Sequence, residues 1–387
     1  MTTNTTTLLG HLPTPFYYYD AELLEQTLAA AAAAARPGNY RIHYALKANA
    51  NPGILRAICR HGFGADCVSG NEVAHAIRNG IDPSRVVYAG VGKSDREIAL
   101  ALREDIYCLN CESLPELEVI QQIAREQGKI ARVALRVIPN VDAHTHRYIT
   151  TGTEENKFGF TLDTLPRAIS YCREASALQL IGLHFHIGSQ ITDMGAFRAL
   201  CERVNTIQAD LQAQGITFPY LNLGGGLGID YEHPDLHPIP DFERYFATFR
   251  EHLRPLPGQE VHFELGRSLV AQCGRLITRV LYVKKGKNKD FVIVDAGMND
   301  LLRPALYQAR HHIENLTSNG PLSRYDVVGP ICESSDSFGQ DILLPATSRG
   351  DLIAIRSCGA YGEAMASRYN LRDLIQGYFS DALPIAH

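Results

Sequence analysis

A lysine at the end of a short apolar segment is the first residue of this chain whose surroundings suggest chemistry. Residues 41–46 have the composition of a buried strand, and turn-forming residues occupy positions 49 to 53. Lys47 lies between them, where burial costs hydration and side-chain freedom, so it needs a partner or a chemical function. One such function is a Schiff base with an aldehyde cofactor. The alternative is a lysine whose amine extends from the strand end into solvent.

The segments that must position this lysine form a regular pattern. Short apolar segments that end in polar or small residues alternate with helical patterns between positions 41 and 265. The predicted strands are 41–46, 64–68, 86–89, 106–109, 131–138, 181–187, 220–223 and 261–265. Their number and alternation predict an α/β fold, a (β/α)8 TIM-like barrel. An open doubly wound sheet is the alternative, but no Gly-x-Gly-x-x-Gly motif follows the first strand.

After Gly274 the pattern changes to β-type segments without intervening helices. The predicted strands there are 275–284, 291–295, 325–328 and 352–357. They predict a C-terminal antiparallel β domain, and we expect the aromatic strand 16–19 to join it. We therefore divide the chain into a barrel domain, residues 36–273, and a β domain, residues 1–35 and 274–387.

Composition excludes several classes of function. A net charge of -5 with no basic stripe indicates neither a nucleic-acid-binding nor a membrane-binding surface. No apolar run is long enough to span a bilayer, and the threonine-rich N-terminus lacks a signal-peptide pattern. The nine cysteines are an odd number and are scattered along the chain, which is typical of reduced thiols. We expect a cytoplasmic protein without nucleic-acid or membrane partners.

In a (β/α)8 barrel, catalytic side chains gather where the strands end at their carboxyl side. The residues found there are Lys47, Asp66, Arg136, His186, Gly224, Gly225, Gly226 and Glu264. Each fits a requirement of pyridoxal 5'-phosphate. Backbone N–H groups of the three glycines could approach phosphate oxygens, with Ser189 and Arg267 as further donors. A tight turn without a ligand is the alternative for the glycines.

Glu264 could keep the pyridine nitrogen of this cofactor protonated, which makes the ring an electron acceptor. The alternative is an ion pair between Glu264 and Arg267. His184 and His186 are two residues apart in a predicted strand and therefore face the same side, where one could stack on the cofactor ring. A zinc site at this pair lacks a third ligand, so we predict no metal.

Eight stretches of the chain together carry a resemblance to a known family. They are 44–49 (YALKAN), 64–66 (GAD), 156–159 (NKFG), 184–190 (HFHIGSQ), 223–226 (LGGG), 264–267 (ELGR), 329–336 (GPICESSD) and 359–362 (GAYG). In this order they resemble the diaminopimelate decarboxylase family of alanine-racemase-like, fold-type III pyridoxal phosphate enzymes. The resemblance runs from about residue 14 to about residue 370.

The resemblance implies roles for the residues at the matching positions. Lys47 would hold the cofactor covalently, and Cys332 would donate a proton to the carbon that loses carbon dioxide. The implied cofactor-binding residues are Lys47, Asp66, His186, Ser189, Gly224, Gly225, Gly226, Glu264, Gly266, Arg267 and Tyr361. Cys332 and Glu333 would reach the cofactor of the other subunit, which implies a homodimer with shared sites.

The resemblance also implies the substrate, meso-2,6-diaminopimelate, and the product, L-lysine. Arg267, Arg303 and Tyr307 match positions that would bind the distal carboxylate, and Glu333 matches one near the distal ammonium. Tyr361 would contact both substrate and cofactor. Arginine suits a carboxylate because its planar fork bonds both oxygens. The alternative for Arg303 is a surface charge on a loop.

Two other functions remain open at this point. One is decarboxylation of a related basic amino acid, namely ornithine, lysine or carboxynorspermidine. The other is a non-catalytic binding or regulatory protein on the same fold, which would be expected to lose Lys47 or Cys332. Residues 144–155 contain four threonines and a glycine, a composition that suggests a loop that covers the site.

Overall fold

The computed structural model describes residues 3–141 and 157–383. Its strands are β1 (Phe16–Tyr19), β2 (Arg41–Ala45), β3 (Gly64–Cys67), β4 (Val86–Tyr88), β5 (Cys108–Cys111), β6 (Ala131–Arg136), β7 (Leu178–His184), β8 (Tyr220–Asn222), β9 (Glu260–Leu265), β10 (Gly274–Lys284), β11 (Asp290–Val294), β12 (Ile313–Asn315), β13 (Leu322–Val328), β14 (Ser337–Pro345), β15 (Leu352–Ile355) and β16 (Gly377–Phe379). Its α-helices are α1 (Thr3–Gly10), α2 (Ala21–Ala35), α3 (Pro52–Arg60), α4 (Gly70–Arg78), α5 (Asp95–Arg103), α6 (Leu114–Glu126), α7 (Leu165–Glu174), α8 (Met194–Ala213), α9 (Phe242–His252), α10 (Arg267–Val270) and α11 (Arg303–Tyr307). The loop at 144–155, for which we predict a covering role, lies outside the described residues.

The chain divides into two units. The barrel unit comprises Leu28–Gly228 and Asp241–Leu269. The β unit comprises Met1–Thr27, Ile229–Pro240 and Val270–His387. These bounds differ from the predicted 36 and 273, because the end of α2 belongs to the barrel unit and a short segment after β8 belongs to the β unit.

The strands β2 to β9 form a closed parallel barrel, which confirms the predicted fold. Closure is made by β2 and β9, where Arg41 pairs with His262 and His43 with Glu264. Most residues of these strands are buried on both faces, because helices cover the outside and side chains fill the interior. This explains why the strands read as short apolar segments rather than as alternating patterns.

Short capped loops connect the strand ends to the following helices. Ser69, two residues after β3, accepts a hydrogen bond from the N–H of Glu72, and Ser113, two residues after β5, accepts one from the N–H of Glu116. An N-cap of this kind satisfies a backbone donor that the first helical turn leaves unpaired. The loops at this end of the barrel are therefore short and well defined, so they hold the side chains that precede them in place.

Aromatic packing determines which face of β9 points into the barrel. The ring of Phe263 lies 5.1 Å from Phe246 and 4.7 Å from Phe249, both on α9. Successive side chains of a strand point to opposite faces, so Glu264 points to the barrel interior. The burial of an outward phenylalanine thus places a carboxylate inside the barrel.

The β unit contains an eight-stranded sheet in the order β12-β15-β10-β11-β13-β14, with β1 paired to β10 and to β16. The N-terminal strand β1 joins this sheet, as predicted. Most pairs are antiparallel, but β11 pairs with β13 and β1 with β16 in parallel, so the sheet is mixed rather than purely antiparallel.

Three strands of this sheet were not predicted, namely β12, β14 and β16. The sequence Gly339-Gln340-Asp341 in the middle of β14 is typical of a turn, and Asp341 has a φ of 56°. The pairing of β13 with β14 shifts register at two places. The strand β14 is locally irregular and is stabilised by its pairing with β13. Its sequence therefore lacks the periodicity that predicts a strand.

Two stacked histidines lie inside the barrel. His43 Nδ1 lies 3.0 Å from the carbonyl oxygen of Arg85, and its Nε2 lies 2.7 Å from Nδ1 of His262. Burial disfavours the charged rings and lowers the pKa of His43 to about 4 and that of His262 to about 2. Both rings are therefore neutral at pH 7.

We expect acid to destabilise the protein through His43. The folded pKa of about 4 lies below the ordinary value of 6.5, so the unfolded chain binds the proton more readily. Stability from this group is complete above pH 6.5 and falls as the pH drops toward 4, by about 2 kcal/mol at pH 5. The measurement is urea unfolding of the wild type and His43→Gln at pH 7 and pH 5, where the free-energy difference between the proteins should change by that amount. The exposed His233→Gln is the control, and parallel pH curves for all three proteins would contradict the expectation.

Candidate active site

Lys47 lies in a single 3₁₀ turn, Leu46–Ala48, directly after β2. Leu46 and Ala48 are buried, whereas Lys47 is exposed. A hydrogen bond joins the residues on either side of the turn, because the hydroxyl of Tyr44 donates to the carbonyl oxygen of Asn49 at 2.8 Å. The backbone around Lys47 is thus anchored, and its amine is accessible to a ligand.

Glu264 is buried in the barrel and accepts hydrogen bonds from three other strands. The donors are Nδ2 of Asn222 at 2.7 Å, Nε2 of His184 at 3.0 Å and Nδ2 of Asn110 at 3.3 Å. Burial opposes the charge of this carboxylate, but the charge and hydrogen bond of His184 outweigh burial and lower its pKa to about 2. The site therefore contains a fixed negative charge. Among the described contacts of this carboxylate, its ion-pair partner is His184.

The pKa of Asp66 in β3 is shifted in the opposite direction. Burial, and then the negative charge of Glu264, raise its pKa well above the ordinary value, while Lys47 acts in the other direction. Its Oδ1 has no hydrogen-bond partner among the described residues. Two neighbouring carboxyl groups thus favour different protonation states, an arrangement common in active sites.

His186 lies two residues beyond the end of β7, whereas the sequence predicted it inside the strand. Its Nδ1 accepts a hydrogen bond from the N–H of Gly225 at 3.2 Å. Burial lowers the pKa of His186 well below its ordinary value, with a further contribution from the charges of Arg136 and Lys47. The ring is therefore neutral, and the glycine segment fixes its orientation.

The glycine segment after β8 approaches the neighbouring backbone closely. A Cβ on Gly225 would lie 1.7 Å from the carbonyl oxygen of Glu264, and Gly224 and Gly226 have φ values of 66° and 109°. The N–H of Gly224 donates to Oδ1 of Asn222 at 2.8 Å, while its carbonyl accepts from the N–H of Glu264. Only glycine fits this turn without displacing the backbone.

Arg267, at the start of α10, donates from Nη2 to the hydroxyl of Ser189 at 3.0 Å. Gly266 precedes it, and a Cβ there would lie 3.1 Å from Cβ of Ala45 and 3.2 Å from Cβ of Ala48. The absence of a side chain lets the chain pass close to the turn that carries Lys47. A hydroxyl and a guanidinium thus occur together in the barrel unit, and such a pair could bind an anion.

Arg136, at the end of β6, forms a buried ion pair with Glu112 at 3.1 Å and lies 4.5 Å from the ring centroid of Phe158. Sequence reasoning missed Glu112 together with the Glu264 donors Asn110 and Asn222. The available signal was a polar residue in or beside a short strand whose other residues are buried. Such a residue needs a partner, but the sequence does not identify it.

The β unit contains the other predicted residues. Arg303 begins α11 and is 6% exposed, so the alternative of a surface charge is wrong. Its guanidinium lies 4.5 Å from the ring centroid of Tyr231, and Nη1 lies 3.0 Å from Nε2 of His311. Tyr307, predicted beside it, ends the same helix. The structure thus brings Arg303 together with the ring of Tyr231 and with His311, neither of which the sequence predicted.

Cys332 is the one exposed cysteine of nine, and its N–H donates to Oδ1 of Asn370 at 3.1 Å. The adjacent Glu333 accepts a hydrogen bond from the hydroxyl of Tyr369. Tyr361 has a φ of 58°, a conformation that is uncommon outside glycine and is often found at functional sites. An accessible thiol next to an oriented carboxylate could serve as a proton donor.

The residues of the barrel unit fit pyridoxal phosphate. A fixed carboxylate could face the ring nitrogen, an accessible lysine could bind the aldehyde, and a glycine turn with a serine and an arginine could hold the phosphate. Within residues 3–141 and 157–383, no group of three or more His, Cys, Asp or Glu side chains is arranged to hold a metal ion. In the same part of the chain, no helix is both long and apolar enough to cross a membrane.

Comparison with known proteins gives consistent matches. The family model of the pyridoxal binding domain of pyridoxal-dependent decarboxylases matches residues 21–271. A diaminopimelate decarboxylase of Bacteroides thetaiotaomicron is 57% identical over 373 residues, which are 96% of this chain and 97% of the relative. Among solved structures, diaminopimelate decarboxylase from Helicobacter pylori complexed with L-lysine is 43% identical, with a TM-score of 0.91 over 97% of this chain and 94% of that one. The enzyme from M. jannaschii in co-complex with L-lysine is 34% identical, with a TM-score of 0.90 over 98% and 90%.

The close approach at Gly225 gives a prediction for stability. Gly225→Ala forces the backbone of Glu264 to move, and such overpacking should lower the free energy of unfolding by about 3 kcal/mol. Gly92→Ala is the matched control, because a Cβ at Gly92 meets nothing within 4 Å. Urea unfolding measures both variants against the wild type. Equal stability of the two variants would show that the turn can relax around a side chain.

Proposed function

The chain belongs to the pyridoxal-dependent diaminopimelate decarboxylases, and we propose that it converts meso-2,6-diaminopimelate to L-lysine and carbon dioxide, the last step of lysine biosynthesis. It is a carboxy-lyase, and its cofactor is pyridoxal 5'-phosphate. The observation that carries the proposal is the ionised Glu264 in a barrel that matches this family over nearly its whole length. Three N–H donors keep this buried carboxylate ionised, which is the state that can hold a proton on a facing ring nitrogen.

The bound cofactor supplies the electron-accepting ring that takes up the electron pair left by the departing carbon dioxide. Glu264 would keep a proton on the ring nitrogen, because its own carboxyl stays ionised. Lys47 would hold the cofactor through its aldehyde group. The neutral imidazole of His186 would lie against the ring, and Asp66 would border the same site.

The loops after β7, β8 and β9 would hold the phosphate of the cofactor. The N–H groups of Gly224 and Gly225 donate to Asn222 and His186, so these two glycines act mainly by allowing close approach. Gly226, Ser189 and Arg267 then supply the direct donors. Gly266 keeps the backbone close enough for Arg267 to reach this group.

Cys332 donates the proton that replaces the lost carboxylate. A proton donor must be accessible, and Cys332 is the exposed cysteine of this chain. We place it in the site of the partner subunit of a homodimer, together with Glu333, which interacts with the distal ammonium. In support, both residues are exposed within their own chain, where a partner can reach them. Tyr361 contacts cofactor and substrate.

Specificity comes from the carboxylate at the far end of the substrate. Arg303, Tyr307 and Arg267 bind this group, and the planar guanidinium of Arg303 can bond both of its oxygens. A site built for this carboxylate rejects substrates that lack it, because its charged donors would then lose their partner. The alternative substrates, ornithine, lysine and carboxynorspermidine, have an amino acid head at one end only.

We place the protein in the cytoplasm. Its nine cysteines are all free thiols, as is usual for proteins of a reducing compartment.

The first test measures carbon dioxide release by the wild type with added pyridoxal phosphate. We expect kcat/KM for meso-diaminopimelate to exceed the values for ornithine, lysine and arginine by at least about a hundredfold. Preference for one of the other three substrates would support the alternative decarboxylase and refute the role of Arg303 and Tyr307. No release from any substrate would favour a non-catalytic protein.

A second test asks whether the active site is shared between subunits. Lys47→Ala and Cys332→Ala each inactivate or strongly slow every site of their homodimers. Mixing them with subunit exchange forms heterodimers in about half of the molecules, each with one site that contains both native residues. We therefore expect recovery of about one quarter of the wild-type rate.

The control is each variant alone after the same exchange treatment. If Cys332 acted within its own chain, every site would carry one mutation and mixing would restore nothing. Full activity of Cys332→Ala by itself would refute its role as proton donor.

A further inference from the structure

His311 is a buried residue to which neither the resemblance nor the sequence pattern assigned a role. It lies between α11 and β12 and is 6% exposed. Its two ring nitrogens contact different partners, namely the carbonyl oxygen of Arg356 at 2.8 Å from Nδ1 and Nη1 of Arg303 at 3.0 Å from Nε2. All of these residues belong to the β unit.

These two contacts determine the protonation of the ring. A carbonyl oxygen only accepts, so Nδ1 carries the hydrogen. A guanidinium only donates, so Nε2 presents its lone pair to Arg303. His311 is therefore the neutral Nδ1–H tautomer, and an imidazolium would place two N–H groups against each other. This bond uses one of the five N–H donors that a guanidinium carries.

The ring is itself held by a rigid surrounding. Arg356, whose carbonyl accepts from His311, bonds Asp235 at 2.7 Å and Glu314 at 3.1 Å. The ring of Tyr231 meets His311 edge-on at 4.9 Å and lies against the guanidinium of Arg303. His311 thus connects Arg303 to the backbone of Arg356, a buried residue that forms ion pairs with the exposed Asp235 and the half-buried Glu314.

We propose that His311 is a positioning residue that orients Arg303 for the distal carboxylate of the substrate. The inference rests on the proposed role of Arg303 in the decarboxylase. A bidentate contact requires the plane of the guanidinium to match the plane of the carboxylate, and a hydrogen bond at Nη1 together with a ring face fixes that plane. His311 therefore controls recognition of one end of the substrate without touching it.

Two variants separate the contacts of His311. His311→Gln places an amide oxygen near the position of Nε2 and retains an acceptor for Arg303. His311→Asn places its amide near the position of Nδ1, so it retains the donor to Arg356 and loses the bond to Arg303. Both substitutions remove the ring, so losses of packing affect the two variants similarly.

The measurement is calorimetric binding to the enzyme loaded with pyridoxal phosphate, which does not depend on turnover. The ligands are L-lysine, which retains the distal carboxylate, and 1,5-diaminopentane, which lacks it. In His311→Asn we expect the preference for L-lysine to fall about tenfold, the effect of one hydrogen bond to a charged group. His311→Gln should retain most of the preference. In turnover of diaminopimelate by His311→Asn, KM should rise by a larger factor than kcat falls.

A double-mutant cycle distinguishes positioning from general damage. In an Arg303→Gln background, His311→Asn should change the preference for L-lysine no further, because its effect passes through Arg303. An equal loss of affinity for both ligands in His311→Asn would indicate local unfolding and overturn the proposal. So would an unchanged preference.

A second measurement uses the wild type alone. In the wild type with ¹⁵N-labelled histidine, His311 should show a protonated Nδ1 and an unprotonated Nε2 whose resonance shifts with L-lysine but not with 1,5-diaminopentane. A protonated Nε2 would overturn the proposal. A wild type that does not prefer L-lysine at all would instead refute the proposed function, so the two failures are distinguishable.

Discussion

The hydrogen-bonded carboxylate of Glu264 is the interaction on which the rest of the site depends. Three strands each contribute one donor to it, and none of these donors can move without moving its strand. A charge buried in this way is stable only because the barrel is closed and its register is fixed. Burial raises the pKa of Asp66, and the charge of Glu264 raises it further, so the two carboxyl groups differ in protonation. Electrostatic preorganisation of this kind requires no rearrangement when a cofactor binds.

Backbone geometry extends this constraint to the next loop. The turn at Gly224 and Gly225 bonds to Asn222, Glu264 and His186, so it joins the carboxylate site to the imidazole. Side chains on these glycines would collide with backbone atoms, which explains their residue type better than flexibility does. The segment acts as a rigid spacer between β8 and β9, and its proposed contact with phosphate is an additional role.

In the β unit, neighbouring side chains likewise orient a buried charged group, the guanidinium of Arg303. Arg303 is buried and contacts a neutral imidazole and an aromatic face, and both contacts orient its charge. In the barrel, two amides and His184 orient a negative charge; in the β unit, a neutral histidine and an aromatic ring orient a positive one.

The sequence by itself determined the barrel, the β domain and the residues at the strand ends. These features follow from local periodicity and from polar residues such as Lys47 and Glu264 at the ends of apolar segments, which are visible without tertiary information. The strand β14 escaped prediction because its central residues have the composition of a turn. The partners of Glu264 also escaped it, since Asn110, His184 and Asn222 meet only when the barrel closes. The tertiary structure alone decided the tautomer of His311, because one of its two partners is a backbone carbonyl, which every residue possesses and no sequence pattern marks.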